Sequence, residues 1–240
     1  MNNIAPKDRI IVALDVPRFK EAEEAVHELF DYVGAFKVGL ELITSQGGPQ
    51  VVQMIHNIGG KVFFDAKFND IPNTVAGASR SASNLKVWMF NLHVSCGRSA
   101  MQAAAANKGS SLAIAVTVLT SIGDEASKEI FGESSSEAVL KFARMTQECG
   151  LDGIVCSPLE LDLLKSEKLT DSLITVVPGI RPIWASKDDQ SRILTPKMAI
   201  EKGASFLVIG RPIMKPPISI GSRVKAAQMI ASEIELNQSK

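Results

Sequence analysis

Eight short apolar runs recur along this chain with helical patterns between most of them, and that rhythm restricts the fold more than any other feature. Ile10-Ile11-Val12-Ala13-Leu14 has the unbroken apolar character of a strand covered on both faces, and Phe19 to Phe30 follows with helical spacing. Gly34 to Gly39 reads as the next strand, then a helix around Pro49 to Ile58, a strand at Lys61 to Lys67 and a helix from about Asn73 to Leu85. Val87 to Val94, Leu112 to Leu119, Gly153 to Cys156, Leu173 to Val177 and Phe206 to Ile209 supply five further strands. Helical patterns fall at Ser99 to Asn107, Glu137 to Cys149, Leu159 to Lys165 and Pro196 to Lys202, with a last one from Ser222 to Glu235. Strands alternating with helices build α/β folds, and eight such units predict a closed (β/α)8 barrel, one domain over residues 1–240. A doubly wound open sheet shares the pattern, and periodicity alone does not separate the two.

A 240-residue chain that is 45% hydrophobic can bury a full core as one such domain. Lys plus Arg and Asp plus Glu both number 26, so no overall field draws the protein to nucleic acid or to an anionic membrane, and any phosphate site must be local. Cys96, Cys149 and Cys156 are odd in number and lack C-x-x-C spacing, which argues against a disulfide framework and a zinc cluster. They read as small packing residues in a reducing cytoplasm. Met1 to Arg9 is polar with mixed charge, and no apolar run approaches the roughly 18 residues of a membrane span. A soluble cytoplasmic protein without a membrane partner is expected.

Two segments interrupt the rhythm. Thr120 to Ser136 follows the fifth strand with Gly, Ser and mixed charge, and Pro178 to Pro196 follows the seventh as a long polar loop. In a barrel both lie at the C-terminal mouth, where active sites are built and loops of this length often act as lids. A tolerated surface insertion is the other reading of each.

Charges fall at corresponding places on the first three strands. Asp15 closes the first, Lys37 lies late in the second, and Asp65 and Lys67 close the third, so a barrel brings all four to one rim. Side chains alternate faces along a strand, which places Asp65 with Lys67, Ala13 with Asp15 and Ala35 with Lys37. Small residues beneath a charge suit an inward-pointing site. Asp70 follows after a turn, and Pro72 suits the first turn of a helix. On the eighth strand Val208-Ile209-Gly210-Arg211 ends where barrels commonly bind phosphate, with Gly210 allowing close backbone approach and Arg211 a bidentate fork. Arg181, in Pro178-Gly179-Ile180-Arg181, and Gln190 add further groups after strand seven. His27 and His56 sit in predicted helices away from the strand ends. His93 ends a strand near the mouth, but with no second ligand at metal spacing it reads as a hydrogen-bonded core residue.

The run Val62 to Thr74, with its core Asp65-Ala66-Lys67-Phe68-Asn69-Asp70-Ile71-Pro72-Asn73-Thr74, resembles the defining motif of the orotidine 5'-phosphate decarboxylase family. The likeness spans the chain: Ala13-Leu14-Asp15, Phe36-Lys37-Val38-Gly39, Val116 to Ser121, Pro178 to Pro182 with Gln190, and Gly210 to Ile213 fall in the family's order. His93-Val94-Ser95-Cys96-Gly97 and Ile183-Trp184-Ala185 depart from its usual pattern. The resemblance implies a TIM barrel that dimerises with its active sites at the subunit interface, acting on orotidine 5'-phosphate without a metal or other cofactor. It implies Lys67 as proton donor to C6 of the pyrimidine, flanked by Asp65, and Asp15 and Lys37 on the ribose hydroxyls. It puts Thr120 against the ring, Gln190, Arg211 and Gly210 on the phosphate, and Arg181 at the edge of the site. Asp70, with Ile71 and Thr74, would reach into the neighbouring subunit's site.

Three rivals stand beside this reading. A related barrel decarboxylase or aldolase acting on a sugar phosphate shares D-x-K-x-x-D but uses Mg2+; the Ile71-Pro72-Asn73-Thr74 continuation and the lack of an evident extra carboxylate on the second strand, where Glu41 is the nearest acid, speak against it. An isomerase or epimerase on the same fold would not need two Asp and two Lys in alternation. A noncatalytic phosphate-ligand sensor would not need Lys67 between two carboxylates.

Overall fold

Branched aliphatic side chains dominate the apolar runs, and in a computed structural model, which describes residues 4–185 and 194–235, eight of those runs form parallel strands. They are β1 (Ile10–Ala13), β2 (Ala35–Val38), β3 (Val62–Phe68), β4 (Met89–His93), β5 (Leu112–Val116), β6 (Gly153–Val155), β7 (Ile174–Val177) and β8 (Phe206–Ile209). Each pairs with its successor, and β8 returns to β1 with Val208 opposite Ile11, so the barrel is closed. That closure decides against the open sheet.

The expected helices are present as α1 (Phe19–Leu29), α3 (Gly48–Ile58), α4 (Pro72–Asn84), α5 (Arg98–Asn107), α7 (Ser135–Glu148), α8 (Leu161–Ser166), α9 (Pro196–Glu201) and α11 (Arg223–Glu235). A short α10 (Arg211–Met214) follows β8, and α2 (Leu40–Gln46) precedes α3 and ends at Gly47 with φ of 78°. The segment from Thr120 to Ser136 is corrected: it is not one irregular loop but contains α6 (Asp124–Phe131). Asp124 and Glu125 favour the positive end of that helix, and Gly132, at φ of 80°, ends it. Asp124 Oδ1 also accepts the Ser135 backbone N–H at 3.0 Å, and Phe131 meets Phe142 edge-on with ring centroids 5.2 Å apart, which ties α6 to α7. Ser134 and Glu137 form a reciprocal capping box at the start of α7.

Two apolar sets separate by strand parity. Side chains such as Leu14, Phe36, Phe64, Phe90 and Leu92 pack outward into the layer between strands and helices. Ile11, Ala13, Ala35, Phe63, Met89, Ile114, Val176, Phe206 and Val208 pack inside the barrel. Phe36, Phe63 and Phe90 are essentially fully buried, each contributing about 1.5–3 kcal/mol by leaving water. Below the inner set, Trp88 stands edge-on to Phe206 at 5.0 Å, and buried Arg9 donates from Nη1 to the Ser205 carbonyl at 3.2 Å. One step of two residues above the inner set come Asp15, Lys37, Asp65, Asn91 and Gly210. The apolar floor therefore leads directly to a polar layer at the C-terminal mouth. Among the described residues no helix is long and apolar enough to cross a membrane.

Candidate active site

A cavity of about 330 Å³ opens at that mouth, within the size range of small-ligand sites. Its polar wall is a continuous charge array. Lys37 Nζ lies 3.0 Å from Asp15 Oδ1 and 3.1 Å from Asp65 Oδ2, and Lys67 Nζ lies 2.6 Å from Asp65 Oδ1. Asp65 thus bridges two ammonium groups. Asp15 is the open end of the chain, with 58% of its side chain exposed, against 10% for Asp65 and 12% for Lys37.

Burial alone would raise the Asp65 carboxyl, but Lys37 and Lys67, with hydrogen bonds from Lys67 and Asn91, hold its pKa below the ordinary aspartate value. Burial likewise opposes the Lys37 ammonium, and Asp65 and Asp15 outweigh it, so its pKa lies above the ordinary lysine value. Desolvated ion pairs contribute little net stability compared with apolar packing, so a cluster of this kind in a cavity points to chemistry rather than to folding.

The route by which Asp65 and Lys67 come together differs from a plain pleat. Phe64 pairs with Phe90 and Phe68 with Leu92, so β3 carries four steps where β4 carries two, and the strand bulges across Asp65 to Lys67. Lys67 takes φ of 52°, a left-handed conformation that costs about 1–3 kcal/mol for a residue with a Cβ and that clusters at functional sites. Its backbone N–H, lost to the ladder, donates to Asn91 Oδ1 at 2.7 Å, and Asn91 Nδ2 donates to Asp65 Oδ1 at 2.6 Å. Asn91 is the polar residue that the sequence reading missed. Parity held the signal: Met89, Asn91 and His93 share a face, and an asparagine inside an apolar strand at the level of Asp65 has to be bonded there.

Gly39 closes the array from behind. A Cβ at this position would sit 2.8 Å from Lys37 Nζ, 3.3 Å from Asp15 Oδ1 and 3.8 Å from Asp65 Oδ2. The residue must be small because charges pack against it, since its φ of −95° suits any residue.

Thr120, Arg181, Gly210 and Arg211 also line the cavity, with Gly210 beside Asp15 at the end of the neighbouring strand. Arg211 opens α10 directly after Gly210. Arg181 is buried, and its backbone N–H donates to the Leu194 carbonyl at 3.0 Å, joining the two described ends of the Pro178 to Pro196 segment. Gln190 lies outside the described residues. Asp70, Ile71 and Thr74 do not line this cavity; all three are exposed at the start of α4, Ile71 to 66%, and Asp70 Oδ1 accepts the Ile71 N–H at 2.7 Å.

Cys156 lines the cavity, but complete burial, with Glu160 adding to it, pushes its thiol well above the ordinary value and leaves it a packing residue. His93 is half-buried, and burial with Lys67 nearby lowers its pKa. Among the described residues no three or more His, Cys, Asp or Glu side chains are grouped so as to hold a metal ion.

Residues 8–221 match the family described as "Orotidine 5'-phosphate decarboxylase / HUMPS family". The orotidine 5'-phosphate decarboxylase of Moorella thermoacetica is 45% identical over 241 residues, covering 96% of this chain and 93% of the relative. The enzyme of the same name from Syntrophomonas wolfei is 43% identical, covering 95% and 98%. Among solved structures, the orotidine 5'-phosphate decarboxylase of Lactobacillus acidophilus superposes with a TM-score of 0.80 at 32% identity, covering 94% of this chain and 98% of its own.

Proposed function

The chain belongs to the orotidine 5'-phosphate decarboxylase / HUMPS family, and from that premise we propose how its cavity converts orotidine 5'-phosphate to uridine 5'-phosphate and CO2, a carboxy-lyase step of pyrimidine nucleotide synthesis. The observation that carries the mechanism is the bridging of Asp65 between Lys37 and Lys67 in a cavity also lined by Arg211.

When the bond from C6 to the carboxylate breaks, its electron pair stays on C6 in the plane of the ring, where conjugation with the ring carbonyls does not spread it. Stabilisation is then mainly electrostatic and must be in place before the bond breaks. Lys67 supplies the positive charge. Its Nζ–H is transferred to C6, the pair on C6 forms the new C–H bond, and the neutral amine regains a proton from solvent. Asp65 keeps Lys67 oriented and faces the departing carboxylate, a repulsion that vanishes as CO2 leaves and that we rank as secondary. The reading uses no metal: the positive charge at C6 comes from the Lys67 ammonium.

Asp15 and Lys37 hold the ribose hydroxyls in this reading, and Thr120 meets the pyrimidine. Gly210 and Arg211 bind the phosphate, with Arg181 at the edge and Gln190 contributing from the segment after β7. Phosphate contacts remote from C6 then supply binding energy that is used in the chemical step. Asp70, Ile71 and Thr74 complete the neighbouring subunit's site in a homodimer; their exposure and their separation from their own cavity support this. Residues 1–240 act as one domain of a cytoplasmic enzyme that needs neither nucleic acid nor membrane.

Purified protein mixed with orotidine 5'-phosphate and excess EDTA tests the proposal. Loss of the substrate absorbance with formation of uridine 5'-phosphate is expected. No turnover would overturn the function, and turnover abolished by EDTA would overturn the metal-free mechanism.

A further inference from the structure

Asn91 is 1% exposed and lies opposite the β3 bulge. A buried carboxamide is costly unless both its ends are bonded, and here both are, to the same neighbouring strand. Its Oδ1 takes the N–H of Lys67, replacing the ladder partner that the bulge removes, and its Nδ2–H goes to Asp65 Oδ1. Chemistry fixes which end is which: a backbone N–H only donates, and an ionised carboxylate only accepts. The same Asp65 oxygen receives Lys67 Nζ, while the other oxygen receives Lys37. One carboxamide therefore fixes the left-handed backbone of Lys67 and the rotation of the carboxylate that aims its side chain.

We propose that Asn91 is the positioning residue of the charge array, setting Asp65 and the main chain of Lys67 so that the Lys67 ammonium points at the reacting carbon. The proposal rests on the decarboxylase reading. It assigns Asn91 no contact with the reacting atoms and no part in transferring the proton. Without Asn91 the carboxylate turns, the bulge relaxes and the Lys67 ammonium drifts, whereas the phosphate contacts stay and Lys37 keeps its bond to Asp15 at the ribose end. The cost falls on kcat rather than on KM.

Two variants and a pH series test this. Asn91→Ala should lower kcat about a hundredfold, the usual loss for a misplacement of about 1 Å, with KM changed less than threefold. Asn91→Asp keeps the shape but makes the bond to Asp65 depend on a proton. Protonated, the new carboxyl accepts from Lys67 N–H and donates O–H to Asp65; ionised, it has no donor and sets a second carboxylate against the first. Lys37, Asp65, Lys67, Asp15 and His93 are the charged or titratable groups facing this position, while β5 presents apolar Ile114 and Val116. The ratio of Asn91→Asp to wild-type kcat should therefore rise as pH falls, a recovery that a merely structural asparagine would not produce. A pH-independent ratio, or wild-type kcat in Asn91→Ala, overturns the proposal. If Asn91→Ala fails to bind uridine 5'-phosphate and melts early, the pH series on Asn91→Asp decides alone. Wild-type protein is assayed in parallel: its inactivity would overturn the decarboxylase reading itself, while active wild type with unaffected variants overturns only the role of Asn91.

Discussion

Gly39→Ala isolates the charge array without touching a charge. The added Cβ would lie 2.8 Å from Lys37 Nζ, and an ordinary contact needs about 3.5–4.0 Å, so the ammonium must withdraw by roughly 0.7–1.2 Å. Its bonds of 3.0 Å to Asp15 and 3.1 Å to Asp65 then stretch beyond hydrogen-bond range. Because the tip of a lysine moves easily and Gly39 has an ordinary φ, the fold absorbs the change, and about a few degrees of melting temperature should be lost, the scale of 1 kcal/mol in a chain of this size. Catalysis should suffer more. A displacement near 1 Å in the array predicts a fall in kcat/KM of about a hundredfold, or about 2.7 kcal/mol of transition-state stabilisation. Steady-state decarboxylation of orotidine 5'-phosphate measures the loss, and a double-mutant cycle identifies its cause. On a Lys37→Ala background the 2.8 Å clash is gone and only the milder 3.3 Å approach to Asp15 Oδ1 remains, so Gly39→Ala should cost far less than a hundredfold. The same hundredfold loss on both backgrounds, or wild-type activity in the single variant, would refute the reasoning.

Mixed dimers of Lys67→Ala and Asp70→Ala subunits should regain activity if Asp70 acts in the partner's site; random pairing leaves about one quarter of all sites intact, and assays of the mixture against each parent measure it. No recovery contradicts that role. Asp65, with its lowered pKa, should add stability that is complete above the ordinary carboxylate value of about 3.9 and is lost as pH falls through its lower folded value. Lys37, with its raised pKa, should add stability that is complete below about 10.4 and is lost as pH rises through its higher folded value. Melting curves of wild type, Asp65→Asn and Lys37→Met across pH check both signs. Phe90→Ala, at a fully buried ring 5.8 Å from Phe68, should cost about 3–5 kcal/mol in chemical denaturation.

The barrel and most of its site are written in the sequence at the level of periodicity. Strand parity alone put Asp15, Lys37 and Asp65 above small or apolar inward residues, because those strands are regular up to the charges. Lys67 reaches the same cavity through a bulge and a positive φ, which depend on a partner strand 24 residues away and leave no local mark. Asn91 does carry a mark, an asparagine on the inward face of an apolar strand, but its role depends on what β3 lacks opposite it. The helix Asp124–Phe131 hides behind a polar composition, although the acids at its start and Gly132 at its end are ordinary helix punctuation. Asp70, Ile71 and Thr74 carry no signal within one subunit, since their surroundings belong to a second copy in the reading proposed above.

Lys67→Ala tests the central claim most directly. In single-turnover mixtures with enzyme in excess over orotidine 5'-phosphate, the variant should form no detectable uridine 5'-phosphate on the timescale of the wild type while still binding that product and melting cooperatively. Uridine 5'-phosphate formed at near the wild-type rate would contradict the assignment of Lys67 as the acid that protonates C6.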